Sequence, residues 1–95
     1  MKLLKVERLH NDKKKYIAFF ETDDGKIKHT KFGASGYQDF TTHRDITRKN
    51  SYISRHSKDL ETHDPTKPGF LSMYLLWNKP TLKESIQDYK KKFNL

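Results

Sequence analysis

The sequence predicts an α+β domain in which a three-stranded antiparallel meander, about residues 3–32, packs against three C-terminal helices near 45–58, 70–78 and 81–93. Three observations predict it. Apolar and polar residues alternate through the first third around an Asp-Gly turn, the apolar spacing lengthens to helical intervals after Asp45, and Phe19, Phe20, Phe32, Phe40, Phe70, Trp77 and Phe93 bring bulky material from every third of the chain. A chain of 95 residues builds one core, so residues 1–95 are read as a single domain.

Leu4, Val6 and Arg8 alternate with Lys5, Glu7 and Leu9, and after the polar stretch His10 to Lys15 comes Tyr16-Ile17-Ala18-Phe19-Phe20, dense in strand-forming residues. Asp24-Gly25 suits a type I′ turn, in which both central residues take positive φ, and Ile27 to Phe32 alternates again. Gly33 and Gly36 break the alternation, so the sheet is expected to end there, with Tyr37 and Phe40 folding back on the core. Asp45 can cap a helix whose apolar seam is Ile46, Ile53 and Leu60. Glu61 to Gly69, with Pro65 and Pro68, reads as a loop.

Phe70 to Trp77 is apolar almost all round and reads as a short buried helix, although a buried strand would give a similar run. Thr81-Leu82-Lys83-Glu84 is a capping box, its Thr81 hydroxyl taking the Glu84 N–H while the Glu84 carboxylate returns to the Thr81 N–H. Leu82, Ile86, Tyr89 and Phe93 then mark one helical face, and Lys90, Lys91 and Lys92 occupy the last turn, where cations oppose the negative end of the dipole.

Residues 32–56, from Phe32-Gly33-Ala34-Ser35-Gly36-Tyr37 to Ser54-Arg55-His56, form one of two blocks that recur together. The other spans residues 69–93, from Gly69-Phe70-Leu71-Ser72 through Leu76-Trp77-Asn78-Lys79-Pro80-Thr81-Leu82 to Asp88-Tyr89-Lys90-Lys91-Lys92-Phe93. In order and spacing they resemble a family of small basic proteins encoded by large nucleocytoplasmic DNA viruses of algae and protists. That family has no assigned activity. The resemblance implies a viral setting inside the host cell, in a viral factory or the nucleus, or in the virion, and it lends no catalytic residue.

Composition narrows the chemistry. Twenty Lys and Arg against 12 Asp and Glu give a net charge of +8, which favours acidic partners, nucleic acid first among them. With no cysteine there is no disulfide framework, thiolate metal site or cysteine nucleophile. The two leucines of Met1-Lys2-Leu3-Leu4-Lys5 fall short of a secretory apolar run, and the longest later run, Met73 to Trp77, is too short to span a bilayer, so neither secretion nor a membrane is expected.

Asp39, His43, Asp45, His56, His63 and Asp64 are metal-ligating types, yet His43 and Asp45 lie two apart where a helical pair needs three or four, and His63-Asp64-Pro65 falls in the loop. Asp45 is therefore read as a cap, Asp39 and Asp64 as turn formers and His56 as a hydrogen-bonding residue, with no metal or cofactor. Ser35 lacks the Gly-x-Ser-x-Gly frame of a nucleophile elbow, and the two glycines lack the P-loop ending, so no catalytic residue is assigned.

The basic residues carry the functional expectation. Lys13, Lys14 and Lys15 come from the first hairpin, Arg44, Arg48, Lys49 and Arg55 from the first helix and its entry, and Lys90, Lys91 and Lys92 from the last helix. If they converge, four to six phosphate contacts give a salt slope of roughly −4 to −5. Arg48, Tyr52 and Arg55 share a helix face, where Tyr52 could stack an exposed base. Tyr74 and Trp77, in a run too apolar for a small monomer to bury on every side, are candidates for a partner or homodimer seam. The expectation is a non-catalytic nucleic-acid-associated protein; the alternative is a protein-interaction or virion structural module with an acidic protein partner.

Overall fold

The computed structural model describes residues 1–95 and places β1 (Lys2–Arg8), β2 (Lys14–Glu21) and β3 (Ile27–Ala34) in one antiparallel sheet of order β1-β2-β3. After the sheet come α1 (Phe40–His43), α2 (Ile46–His56), a 3₁₀ turn (Ser57–Thr62), α3 (Pro68–Leu71), a π-helical turn (Ser72–Leu76) and α4 (Leu82–Phe93). The fold is thus α+β, with the helical material C-terminal to the meander. No helix is long and apolar enough to cross a membrane.

Strict alternation in β1 would put Leu4 on the face of Val6. The register instead steps from Leu3 opposite Phe20 to Lys5 opposite Phe19, so Leu4 is an extra, bulged residue and is 48% exposed. One added residue inverts the parity of a period-two element, and Leu3 therefore joins the core with Val6 packed beside it. The turn after β2 also differs from type I′, because only Gly25 takes positive φ, at 81°. Thr22 and Lys26 close a three-residue loop through Thr22 N–H to the Lys26 carbonyl at 2.8 Å, while Gly25 N–H donates to the Thr22 carbonyl at 2.9 Å. Such a loop needs a left-handed residue only at its end, which Gly25 supplies.

The sheet continues past Phe32. Gly33 belongs to β3 at φ 79°, and a Cβ there would lie 2.8 Å from Leu76 Cδ1, so the missing side chain lets the π turn close onto the strand. The core joins Leu3, Ala18, Phe20 and Phe32 of the sheet to Phe70, Leu71, Leu75, Leu76 and Tyr89 of the helical layer. Each large apolar side chain so buried contributes about 1.5 to 3 kcal/mol. The apolar run 70–77 is thus spent mainly inside the molecule. Pro68 opens α3 at its first turn, where the missing N–H costs nothing, so the expected loop is shorter at both ends.

The helix at 45–58 is the largest departure. Asp45 caps it as expected, accepting from Thr47 N at 2.9 Å and Arg48 N at 3.2 Å. It buries no residue fully, however, and Ile46 at the head of the proposed seam is 57% exposed. A seven-residue spacing offers one apolar contact per two turns, too little to hold a helix on a sheet. Instead α2 packs beside α1 and the 3₁₀ turn, and its anchors are Tyr52 and His56. Asp39 is the N-cap of α1, and Tyr37, expected in the core, is 74% exposed; Phe40 alone folds back and is buried.

Candidate functional site

A cleft of about 580 Å³ opens between the hairpin end of the sheet and α2. Lys14, Lys15, Gly33 and Ala34 form one side, Tyr37 to Asp39 the rim, Arg48, Tyr52, Arg55 and His56 the α2 side, and Gly69, Ser72, Leu76 and Trp77 the floor nearest the core. Gly69 is required where α3 meets the 3₁₀ turn, since a Cβ there would sit 2.6 Å from Asp59 Cβ.

Stacked rings build the α2 wall. The Tyr52 ring lies 4.2 Å from that of Trp77 at an interplanar angle of 4°, and 4.1 Å from that of His56 at 20°. Two rings so close and so nearly parallel to a third must lie on its opposite faces. The His43 ring lies 5.2 Å from that of Trp77, tilted by 54°. Its Nδ1 accepts from Asp45 N at 2.9 Å, which leaves the proton on Nε2, a buried atom with no hydrogen-bond partner. Burial pushes the Tyr52 phenol above its ordinary pKa, and the Asp59 carboxylate adds to the shift, so the column stays neutral at its centre.

Tyr52 therefore cannot receive a base: both of its faces are covered within the chain. The helix spacing that groups it with Arg48 and Arg55 is real, but the Tyr52 ring is spent on attaching the helix to the body through Trp77.

Two carboxylates reach the cleft, and each is already engaged. Lys15 Nζ is 2.7 Å from Asp39 Oδ2, with the side chains only 13% and 4% exposed. Asp39 Oδ1 also accepts from Thr41 N at 2.9 Å and from the Thr41 hydroxyl, so one residue caps α1 and ties that cap to β2. Asp59 meets His56 Nδ1 at 3.2 Å. Lys14, Arg48 and Arg55 are left facing the cleft without a carboxylate; Arg48 Nη1 is steadied by the neutral Gln38 Oε1 at 3.1 Å.

Residues 4–56, more than half of the chain, match a family of unknown function (DUF5754). The chain belongs to this family. No curated protein and no solved structure matches it. The span matched to DUF5754 contains most of β1, all of β2 and β3, α1 and α2, hence every basic residue of the cleft, whereas the Trp77 that stacks on Tyr52 lies outside it.

Of the basic residues expected to act together, the DUF5754 span brings Lys14, Lys15, Arg48 and Arg55 into one cleft. Lys13 and Arg44 do not line it. Lys49 is turned to the body, donating to the Asn78 carbonyl at 2.7 Å with its ammonium 5.0 Å above the Phe40 ring. Lys90, Lys91 and Lys92 lie at the end of α4, outside the cleft. Trp77 is a wall of the cleft, and Tyr74 belongs to a separate aromatic group with Phe70, Tyr89 and Phe93. Both side chains are half-buried. The His and Asp candidates do not assemble: no three His, Asp or Glu groups meet in metal-holding geometry.

Tyr37, Gln38 and the Lys15–Asp39 pair were not picked out by sequence reasoning. The pair joins residues 24 positions apart and left no local signal. Tyr37 had one, since the residue after Gly36 in a polar stretch between a strand and a capped turn is placed to project outward.

Proposed function

We propose that this chain is a small non-catalytic protein that holds the phosphate backbone of a nucleic acid along the cleft, in the intracellular viral setting suggested by the resemblance of its sequence blocks. The observation that carries this reading is the convergence of Lys14 from the hairpin with Arg48 and Arg55 from α2, none paired with a carboxylate. Cations held on a concave wall with no acidic partner lower the energy of an anion, and two arginines on one helix about 10 Å apart can meet successive phosphates.

Three free cations instead of four to six reduce the expected salt dependence. For duplex DNA the slope of log K against log salt should be roughly −3, and for single strands roughly −2. Fluorescence anisotropy across a salt series, with duplex DNA, single-stranded DNA and RNA, measures this directly. Absence of binding to all three at low salt would give the cleft to an acidic protein partner instead.

A further inference from the structure

Resting on the nucleic-acid reading, we infer that the strand held in the cleft is single, and that Tyr37 is the platform on which one of its bases stacks. The chain has five tyrosines. Tyr16 stacks on Phe32, Tyr52 on Trp77, Tyr74 on Phe70, and Tyr89 meets Phe93 edge to face. Tyr37 pairs with no ring and lies under no cation, although it is 74% exposed on the rim of the cleft. A ring left bare beside unpaired cations is the combination that single-strand binding surfaces use, because every base has a π face and stacking on it is tolerant of sequence.

The neighbouring contacts set the geometry. Gln38, next in the chain, accepts from Arg48 Nη1 at 3.1 Å, so a base on Tyr37 brings its own phosphate to the arginine that opens the α2 row. From Arg48 the row runs about 10 Å to Arg55, along the direction a backbone would follow. Tyr52 cannot substitute, since Trp77 and His56 cover both of its faces. A duplex keeps its bases stacked on one another and offers Tyr37 only backbone and groove edges. An unpaired strand offers a free face at no unstacking cost.

The test is anisotropy with an oligothymidylate of roughly 12 nucleotides and a duplex of the same length, for the parent, Tyr37→Ala, Tyr37→Phe and the double variant Arg48→Glu with Arg55→Glu. Tyr37 makes no packing contact in the core cluster, so its variants are expected to fold. Tyr37→Ala should weaken the single strand roughly tenfold, Tyr37→Phe should keep affinity within about twofold, and neither should change duplex binding or the salt slope. Placing an abasic nucleotide throughout the oligonucleotide should abolish the difference between parent and Tyr37→Ala. Single-strand binding by Tyr37→Ala equal to that of the parent, or a parent preference for duplex, overturns the inference. If the double variant then still loses binding, the phosphate cleft stands without the stacking platform. If the parent binds neither probe at low salt, both fall together.

Discussion

The chain has two runs of three lysines, and they meet different fates: Lys14 and Lys15 of the first line the cleft, while the second closes a helix away from it. Lys90, Lys91 and Lys92 are consecutive in the last turn of α4, where they face the negative end of the helix dipole, and Lys92 Nζ is 3.8 Å from Asp88 and 5.4 Å above the Tyr74 ring. Helix stability accounts for their position without a ligand. Lys14, Arg48 and Arg55 are scattered over 42 positions, and the fold gathers them on one cleft with no local task to explain them. Equal density along the chain thus leads to different surroundings, a helix end for one run and a shared cleft for part of the other.

The largest expected effect tests what holds the cleft together. Trp77→Ala removes the ring that contacts both His43 and Tyr52, and with it an attachment of α2, so it should cost about 3 kcal/mol, a fall in Tm of roughly 12 to 24 °C for a domain of this size. Binding should weaken as Arg48 and Arg55 lose their support. Thermal unfolding followed by circular dichroism checks it, and a loss below about 1 kcal/mol would show that α2 is held by something other than the column.

Charge reversal sharpens the contrast itself. Arg48→Glu with Arg55→Glu should make the salt slope shallower by about two and lower duplex affinity roughly 60-fold at 0.1 M salt, since two phosphate contacts carry about 1.8 decades there. Tm should barely move, because exposed charges contribute little. Lys90→Glu with Lys91→Glu should do the opposite, leaving affinity within about twofold while costing about 1 kcal/mol at the helix end. Equal losses of affinity from the two double variants would erase the distinction between the regions.

The smallest effect belongs to the C-terminal helix alone. Thr81→Ala removes the acceptor that Glu84 N–H reaches at 3.2 Å, and should cost about 1 kcal/mol with binding unchanged. The expected return bond to the Thr81 N–H is replaced by one from the Thr81 hydroxyl to Glu84 Oε1 at 2.9 Å, so Glu84→Ala should lose part of the same stabilisation. An unaltered Tm in both variants would show that this cap contributes nothing to the helix.

The sequence alone determined what depends on neighbours in the chain. The three strands, the caps at Asp45 and Thr81, the amphipathic face Leu82, Ile86, Tyr89 and Phe93, and the lysines closing α4 all follow from short periods, turn chemistry and dipoles acting over a few residues. Tertiary structure decided the rest. A single bulged residue at Leu4 exchanged the two faces of β1, and no period-two pattern records where a strand slips against its partner. Tyr52, on the same helix face as two arginines, went to Trp77 and His56 because a buried ring gains more from packing than an exposed one does from waiting for a ligand, while Tyr37, with no such partner within reach, stayed in solvent. Lys15 met Asp39, 24 positions away, and Lys14, beside it in sequence, did not. Which charges are spent within the fold and which remain for a partner is set by contacts between distant residues, and composition is blind to those.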